Sequence, residues 1–370
     1  MLAICTVGAA LTVAVPPTLA LGADPQTSPQ FNGSVYAVAY RGSTVYVGGA
    51  FTSAVSGGRA YDRERLAAFD ARTGRLLNWA PAANNTVRAL ATAGDSVYLA
   101  GDFRLVSGAR RDSVASVDAF SGSVGPLSHA ISGAAYALAV GNGRLYLSGS
   151  FTAVDGSRRG NLAAFSLASG DLDGGWRPYT DEAVHAVIAY ASRVYLGGLF
   201  RTVDRVSGTP HLAAVSPISG SLDRGFWPRT QPEVNAIAVD RRGVYVATGG
   251  QGGRAIAYTS TGQFRWQRVF DGDAAAITTL NGVTYVGGHF DRACLTTNNG
   301  LHGTCSNASV LRIKLAAVTS DGALSGWAPQ ANGVIGVRVL AASRYGGLIS
   351  AGGDFTMLSG RVRHRFATFD

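Results

Sequence analysis

The pattern Val-x-Ala-Leu, or a close variant of it, opens most of seven short repeated segments of the chain. Its framing residues stay small and apolar while x changes from copy to copy. The variable residue is in turn Tyr36, Arg88, Tyr136, His185, Asn235, Ala275 and Arg338. These are aromatic faces, cations and amides. Brought together in a concave site, they would hold a polar ligand such as a glycan or an anionic polymer. On that reading Tyr36, Arg88, Tyr136, His185, Asn235 and Arg338 are the expected ligand-binding residues. The alternative is that they cover apolar edges and bond one another or water.

Other candidates are weaker. Arg65, Ser113, Asn161, His211, Arg254, Lys314 and Arg365 recur before a second repeated segment. Their basic bias suits carboxylate or phosphate, but a repeated structural contact to loop acids such as Asp62 and Asp112 is the expected role. Asp171/Asp173 and Asp271/Asp273 are acid pairs without the remaining ligands of a calcium loop. No serine elbow, Walker loop or His–Glu zinc motif is present. No acid stands at the variable Val-x-Ala position, which argues against paired-carboxylate glycoside hydrolysis there. No catalytic residue, metal site or cofactor is expected.

The elements that must position these residues are visible as repeats. VYVGGAF (residues 45–51) returns as VYLAGDF (97–103), LYLSGSF (145–151), VYLGGLF (194–200), VYVATGG (244–250), TYVGGHF (284–290) and ISAGGDF (349–355). Copies start about 40 to 65 residues apart, a period of solenoids and propellers. Within a repeat, two alternating strands joined by a tight turn are followed by a polar loop. Then comes LAAFD (Leu66 to Asp70), an Asp-x-x-Thr-Gly turn, and a fourth strand carrying Trp79, Trp176, Trp227, Trp266 or Trp327. Asp70, Asp118, Ser166 and Ser216 can each bond the turn backbone. The expected fold is therefore all-β: a seven-bladed β-propeller of four-stranded antiparallel blades. The last repeat ends on its third strand at ATFD, so an N-terminal strand from residues 26–32 is expected to complete the last blade and remove the open edges. The fifth repeat is degenerate at Gly249 to Gly253.

The 49 glycines, without a collagen period, and the low charged fraction of 15% suit short strands and tight turns. The net charge of +9 is almost all arginine, Lys314 being the sole lysine, and it is scattered rather than striped. That excludes the footprint of a nucleic-acid binder. Residues 2–21 are apolar, broken by Pro16-Pro17, and read as a secretory signal peptide within residues 1–23, cut near Ala20 or Ala23; no Lys or Arg precedes the run. Residues 24–370 form one domain, expected to be an exported monomer with no membrane insertion beyond the leader. Cys294 and Cys305 flank a short Gly- and Asn-rich stretch and are expected to form a disulfide in an oxidising space. A zinc site borrowing His289 or His302 is the lesser alternative.

The GGxF copies, the LAAFD and LAAV segments, and the Trp-x-Pro endings at Trp79, Trp176 and Trp327 resemble the delta-sixty repeat family of secreted actinobacterial β-propellers. The likeness runs over the whole mature chain and implies export, not a defined activity. Asp-x-x-Thr-Gly-x-x-x-x-Trp (Asp70 to Trp79) is also similar to the blade-locking turn of quinoprotein propellers, which implies a Trp packed between blades. The expected function is a non-catalytic binding module for extracellular carbohydrate or protein, acting through the long-loop face. The competing expectation is a propeller enzyme, a quinoprotein-like dehydrogenase or a carbohydrate-active enzyme.

Overall fold

A computed structural model of the chain describes residues 21–230, 232–343 and 345–370. Almost all of the expected leader lies outside the described residues. Those residues contain no α-helix; one short 3-10 turn, Leu301–Gly303, interrupts an otherwise all-β chain.

Seven sheets follow one another, each opening on an antiparallel hairpin to which a third strand is added. The first joins Val35–Arg41, Thr44–Gly49 and Leu66–Asp70; the second joins Val87–Ala93, Ser96–Gly101 and Val114–Asp118. The pattern recurs to the seventh, Val337–Ser343, Leu348–Gly353 and Phe366–Phe369. The first strands pack side by side in chain order, and Val337–Ser343 packs back against Val35–Arg41. The apolar core is accordingly divided into clusters between consecutive sheets. One holds Tyr46, Leu66 and Trp79 of the first sheet against Leu90, Leu99 and Val117 of the second. Another holds Val35, Val45 and Phe69 of the first sheet against Phe366 of the seventh.

Among the described residues a regular fourth strand, added beyond the third, is found in the fifth sheet alone, at Phe264–Val269. In the first, second, third, fourth and sixth sheets a single bridge takes its place, such as Phe69↔Leu76 and Phe165↔Leu172. Proline is the reason. Pro81, Pro126, Pro178, Pro228 and Pro329 follow within a few residues and cannot donate to a ladder, whereas the fifth repeat reads Trp266-Gln267-Arg268. A repeated arginine substitutes for the lost ladder. Arg63, Arg111, Arg159 and Arg312 donate from Nη1 to the preceding residue's carbonyl at 2.7–2.9 Å. Their Nη2 groups reach the carbonyls of Leu77, Gly125, Asp173 and Ser325 in the fourth segment, at 2.7–3.3 Å.

The tryptophans lie between sheets. Trp79 Nε1 donates to Asp118 O at 2.9 Å, Trp176 to Ser216 O at 3.0 Å and Trp266 to Ser320 O at 3.2 Å. Each has a tyrosine of the second strand beside it, as Tyr46 is beside Trp79 at 5.0 Å. Trp227 does not join this series. Phe226, one residue earlier and fully buried, takes the place against Tyr195 at 5.1 Å.

Chain closure differs in register from the sequence expectation. Residues 22–26, not 26–32, lie along the last strand, with Gly22 N–H on Asp370 O at 2.9 Å and Gln26 N–H on Thr368 O at 2.8 Å. Gln30–Phe31 instead pairs with Ser53–Ser56 of the first sheet's outer hairpin. The loop of the sixth repeat also has a defined place. Its Cys294–Cys305 disulfide is formed. Asn299 Nδ2 donates to Phe270 O at 2.6 Å, and Gln267 Nε2 donates to Thr297 O at 2.6 Å. The loop thus lies over the Gly-rich stretch of the fifth repeat, which lacks an outer hairpin of its own.

Candidate functional site

Each first strand carries a β-bulge at the same place in the pattern, and that of the third sheet has a second shift between Ser132 and Gly133. The register of the hairpin slips between Val35 and Ala37, Val87 and Ala89, Ala135 and Ala137, Val184 and Ala186, Val234 and Ala236, Ala274 and Ala276, and Val337 and Val339. The skipped residue is the variable one of the sequence pattern every time. A bulge leaves its extra residue unpaired and re-aims the side chain. Here Tyr36, Arg88, Tyr136, His185, Asn235, Ala275 and Arg338 all line one cavity of about 240 Å³ at the axis of the ring of sheets.

In six sheets the second glycine of GGxF stands against the bulge; in the fifth Thr248 holds that place and the bulge is still formed. A Cβ on Gly49, Gly101, Gly149, Gly198, Gly288 or Gly353 would come within 2.0–2.2 Å of the carbonyl oxygen of the residue two before the bulged one, so in these six sheets no larger residue fits without a shift. That same carbonyl accepts the N–H of the next residue, as Thr86 O does from Asp102. The x of GGxF is therefore held beside the bulged residue. This explains contacts the sequence reading missed. Arg88 is bidentate to Asp102 at 2.7 and 2.8 Å, and Arg338 Nε donates to Asp354 at 2.6 Å. Asp354 also accepts from the Ser34 hydroxyl. Tyr136 Oη meets Ser150 Oγ at 2.9 Å. Two aspartates, each just after a second strand, are thus bonded to the arginines that line the cavity. The signal was present in the variable x of GGxF, at Asp102, Ser150 and Asp354.

Around the mouth Tyr36 stands between two guanidinium groups, Arg338 at 5.2 Å and Arg88 at 6.0 Å from its ring centre. Tyr136 and His185 meet edge to face at 5.9 Å. Burial pushes the His185 imidazole below its ordinary pKa, with Glu233 pulling the other way. Asn235 donates to Ala274 O at 3.0 Å. The mouth is charge-balanced and rich in aromatic and hydrogen-bonding groups rather than basic.

The second series has another role. Arg65, Ser113, Asn161, His211, Lys314 and Arg365 all adopt left-handed backbone, with φ between 65° and 69°. Their N–H groups donate to the GGxF phenylalanine carbonyls, and their own carbonyls accept from the second glycine. The series is a backbone lock. Among the described residues Lys314 alone of the series meets a loop acid, Asp291 at 2.8 Å; Asp112 pairs instead with Arg104 and Arg110. Arg254, in the sheet without an outer hairpin, is not left-handed. The acid pairs are structural too: Asp173 takes Arg144, and Asp271 accepts two backbone N–H groups. Among the described residues no three His, Cys, Asp or Glu side chains come together as a metal site.

No protein-family model matches the chain, and no curated protein is similar to it in sequence. Solved structures are similar in shape. The crystal structure of the WD40 β-propeller domain of Doa1 matches with a TM-score of 0.59 and 10% identity, over 94% of this chain and 96% of that one. The fold is a β-propeller. The computationally designed Ika8 protein matches with a TM-score of 0.51 and 14% identity, over 94% of this chain and 99% of its own. At such identities the likeness is one of fold, and no more is carried by it. The propeller's long-loop face bears the outer hairpins and the mouth lined by the bulged residues.

Proposed function

We propose that this seven-bladed propeller is an exported, non-catalytic binding module whose channel mouth takes an uncharged or weakly charged glycan. The seven sheets and the core clusters between them support the blade number. The apolar N-terminal run and the Cys294–Cys305 disulfide support export. One observation carries the ligand class: every blade spends a bulge on presenting a side chain to one shallow cavity, and its two arginines already hold carboxylates. Aromatic faces at Tyr36 and Tyr136, with bonded polar groups around them, suit a sugar better than a polyanion. A protein loop with a polar tip is the neighbouring possibility within the same reading. The enzyme reading has less support, because Asp102 and Asp354 are each tied to an arginine.

The test is glycan-array and calorimetric binding with the Arg88→Ala/Tyr136→Ala variant. Binding should weaken at least about tenfold, the size expected for losing an aromatic and an arginine anchor, with melting little changed. An unaltered signal in a well-folded variant would reject the mouth as the site.

A further inference from the structure

The cleft between the loops of blades three and four departs from the repeat at three places at once. Outer hairpins turn on two left-handed residues, the second of which is Gly58, Gly108, Gly156 or Gly360 in blades one, two, three and seven. In blade four it is Arg205, held at φ 64°. A bulky side chain in that conformation is strained, and strain of this kind gathers at functional sites. After the fourth-segment tryptophan, Arg177 stands where blades one and six have Ala80 and Ala328. Gly160 stands where other blades carry Glu64, Asp112, Ile313 or His364. Its missing side chain lets the Tyr179 ring lie on the backbone, for a Cβ there would come within 2.3 Å of the ring.

Arg158, Arg159, Arg177 and Arg205 line a cavity of about 450 Å³ with Tyr179 and Asp204. Asp204 accepts the Tyr179 N–H at 3.0 Å and is the carboxylate of this lining. Among the described residues the guanidinium groups of Arg158, Arg177 and Arg205 have no ion-pair or hydrogen-bond partner. Arg159 is buried; it bonds the carbonyls of Arg158 and Asp173, and its Nε has no partner. Burial, and the nearby charge of Arg177, hold its pKa below the usual arginine value. Four cations around one cavity repel each other, and an anion between them offsets that cost.

We propose that this cleft binds an oxyanion carried on a saccharide (a sulfate, a phosphate or a uronate carboxylate), with Arg177 and Arg205 taking the oxygens and Tyr179 lying against the sugar. Guanidinium groups match such oxyanions in bidentate geometry. The pocket is confined to one cleft, and the other arginines are scattered, which favours a local anionic group over a nucleic-acid backbone. The site is separate from the channel mouth and does not depend on it.

Calorimetric titration at about 0.15 M salt, where unspecific attraction is screened, should use sulfated, phosphorylated and carboxylated oligosaccharides, a neutral oligosaccharide, and single-stranded DNA. At least one acidic sugar should bind, and the arm that binds names the group. Arg177→Ala/Arg205→Gly should weaken that binding about tenfold or more without lowering the melting temperature, since glycine relaxes the turn. Arg88→Ala/Tyr136→Ala at the mouth should leave it unchanged. Arg72→Ala/Arg75→Ala removes the same charge from the opposite face; an equal loss there, equal binding of DNA, or no difference between acidic and neutral sugars would overturn the proposal.

Discussion

Asp173 illustrates what single side chains do in this ring. Its Oδ2 accepts from Arg144 Nε at 2.7 Å, and its Oδ1 accepts from the N–H groups of Gly175 and Trp176 at 2.8 and 3.1 Å. Burial alone would raise its pKa, but Arg144 and the two amides outweigh it and hold the carboxyl below its ordinary 3.8. Asp223 repeats the arrangement one blade later with Arg193 and Gly225, and is lowered in the same way. A carboxylate more acidic in the folded than in the unfolded chain stabilises above the unfolded pKa of about 4, and that stability is lost as pH falls through the folded value. The melting temperature should therefore be nearly flat from about pH 7 to 5 and fall below about pH 4. Asp173→Asn should lower stability at neutral pH by about 1–3 kcal/mol, leaving Arg144 without its acid, and should flatten the acid limb. Calorimetric scans across that range check it; an acid limb parallel to that of the parent chain would refute the assignment.

At the level of elements, the disulfide and the degenerate fifth blade form one unit. The outer hairpin missing at Gly249 to Gly253 is replaced by the neighbouring loop, with Asn299 reaching Phe270 O and Gln267 reaching Thr297 O. Phe270 and Phe290 stack beneath it at 4.2 Å. Reduction, or Cys294→Ser/Cys305→Ser, should cost about 2–3 kcal/mol for a loop of this length. Hydrogen exchange should then rise in residues 249–253 as well as in 295–308. Faster exchange confined to the cysteine loop would mean that it protects only itself. The two irregularities were both legible in the sequence, but their connection was not, because nothing in the residue pattern says which blade a long loop leans on. The hairpins, the Asp-x-x-Thr-Gly turns and the Val-x-Ala position could be read from alternation and glycine spacing. The loss of the fourth strand could have been read from the Trp-x-Pro prolines. Phe226 displacing Trp227, and Asp102 pairing with Arg88, depend on packing and on a bulge that sequence periodicity does not reveal. The positions that line the cavity are therefore legible in the sequence, whereas the aspartates that pair with their arginines are not.

For the whole molecule, closure depends on the first few described residues. Trp327 of blade six donates to Gly22 O at 3.0 Å, the same bond that Trp79, Trp176 and Trp266 make to the turn of the next blade. Gly22 thus occupies the place that a turn of the same strand would fill if blade seven were continuous. Tyr285 accepts the Leu21 N–H at 3.0 Å, Gly22 N–H reaches Asp370 O at 2.9 Å, and the Leu21 side chain packs on the core between blades six and seven. A polypeptide starting at Leu21 keeps all of these contacts; one starting at Asp24 loses them, the bond from Ser359 Oγ to Ala23 O as a fourth, and the leucine. At about 1 kcal/mol for each bond, with part of a buried leucine besides, the shorter chain should be less stable by roughly 4–6 kcal/mol. Equilibrium urea unfolding of the two chains measures this directly. Equal midpoints would show that the ring is held by its inter-blade cores alone, with residues 21–23 contributing nothing to the seam. A large difference would mean that residues 21–23 hold the seam, and on the export proposed above intact-mass analysis of the secreted chain should then find Leu21 retained.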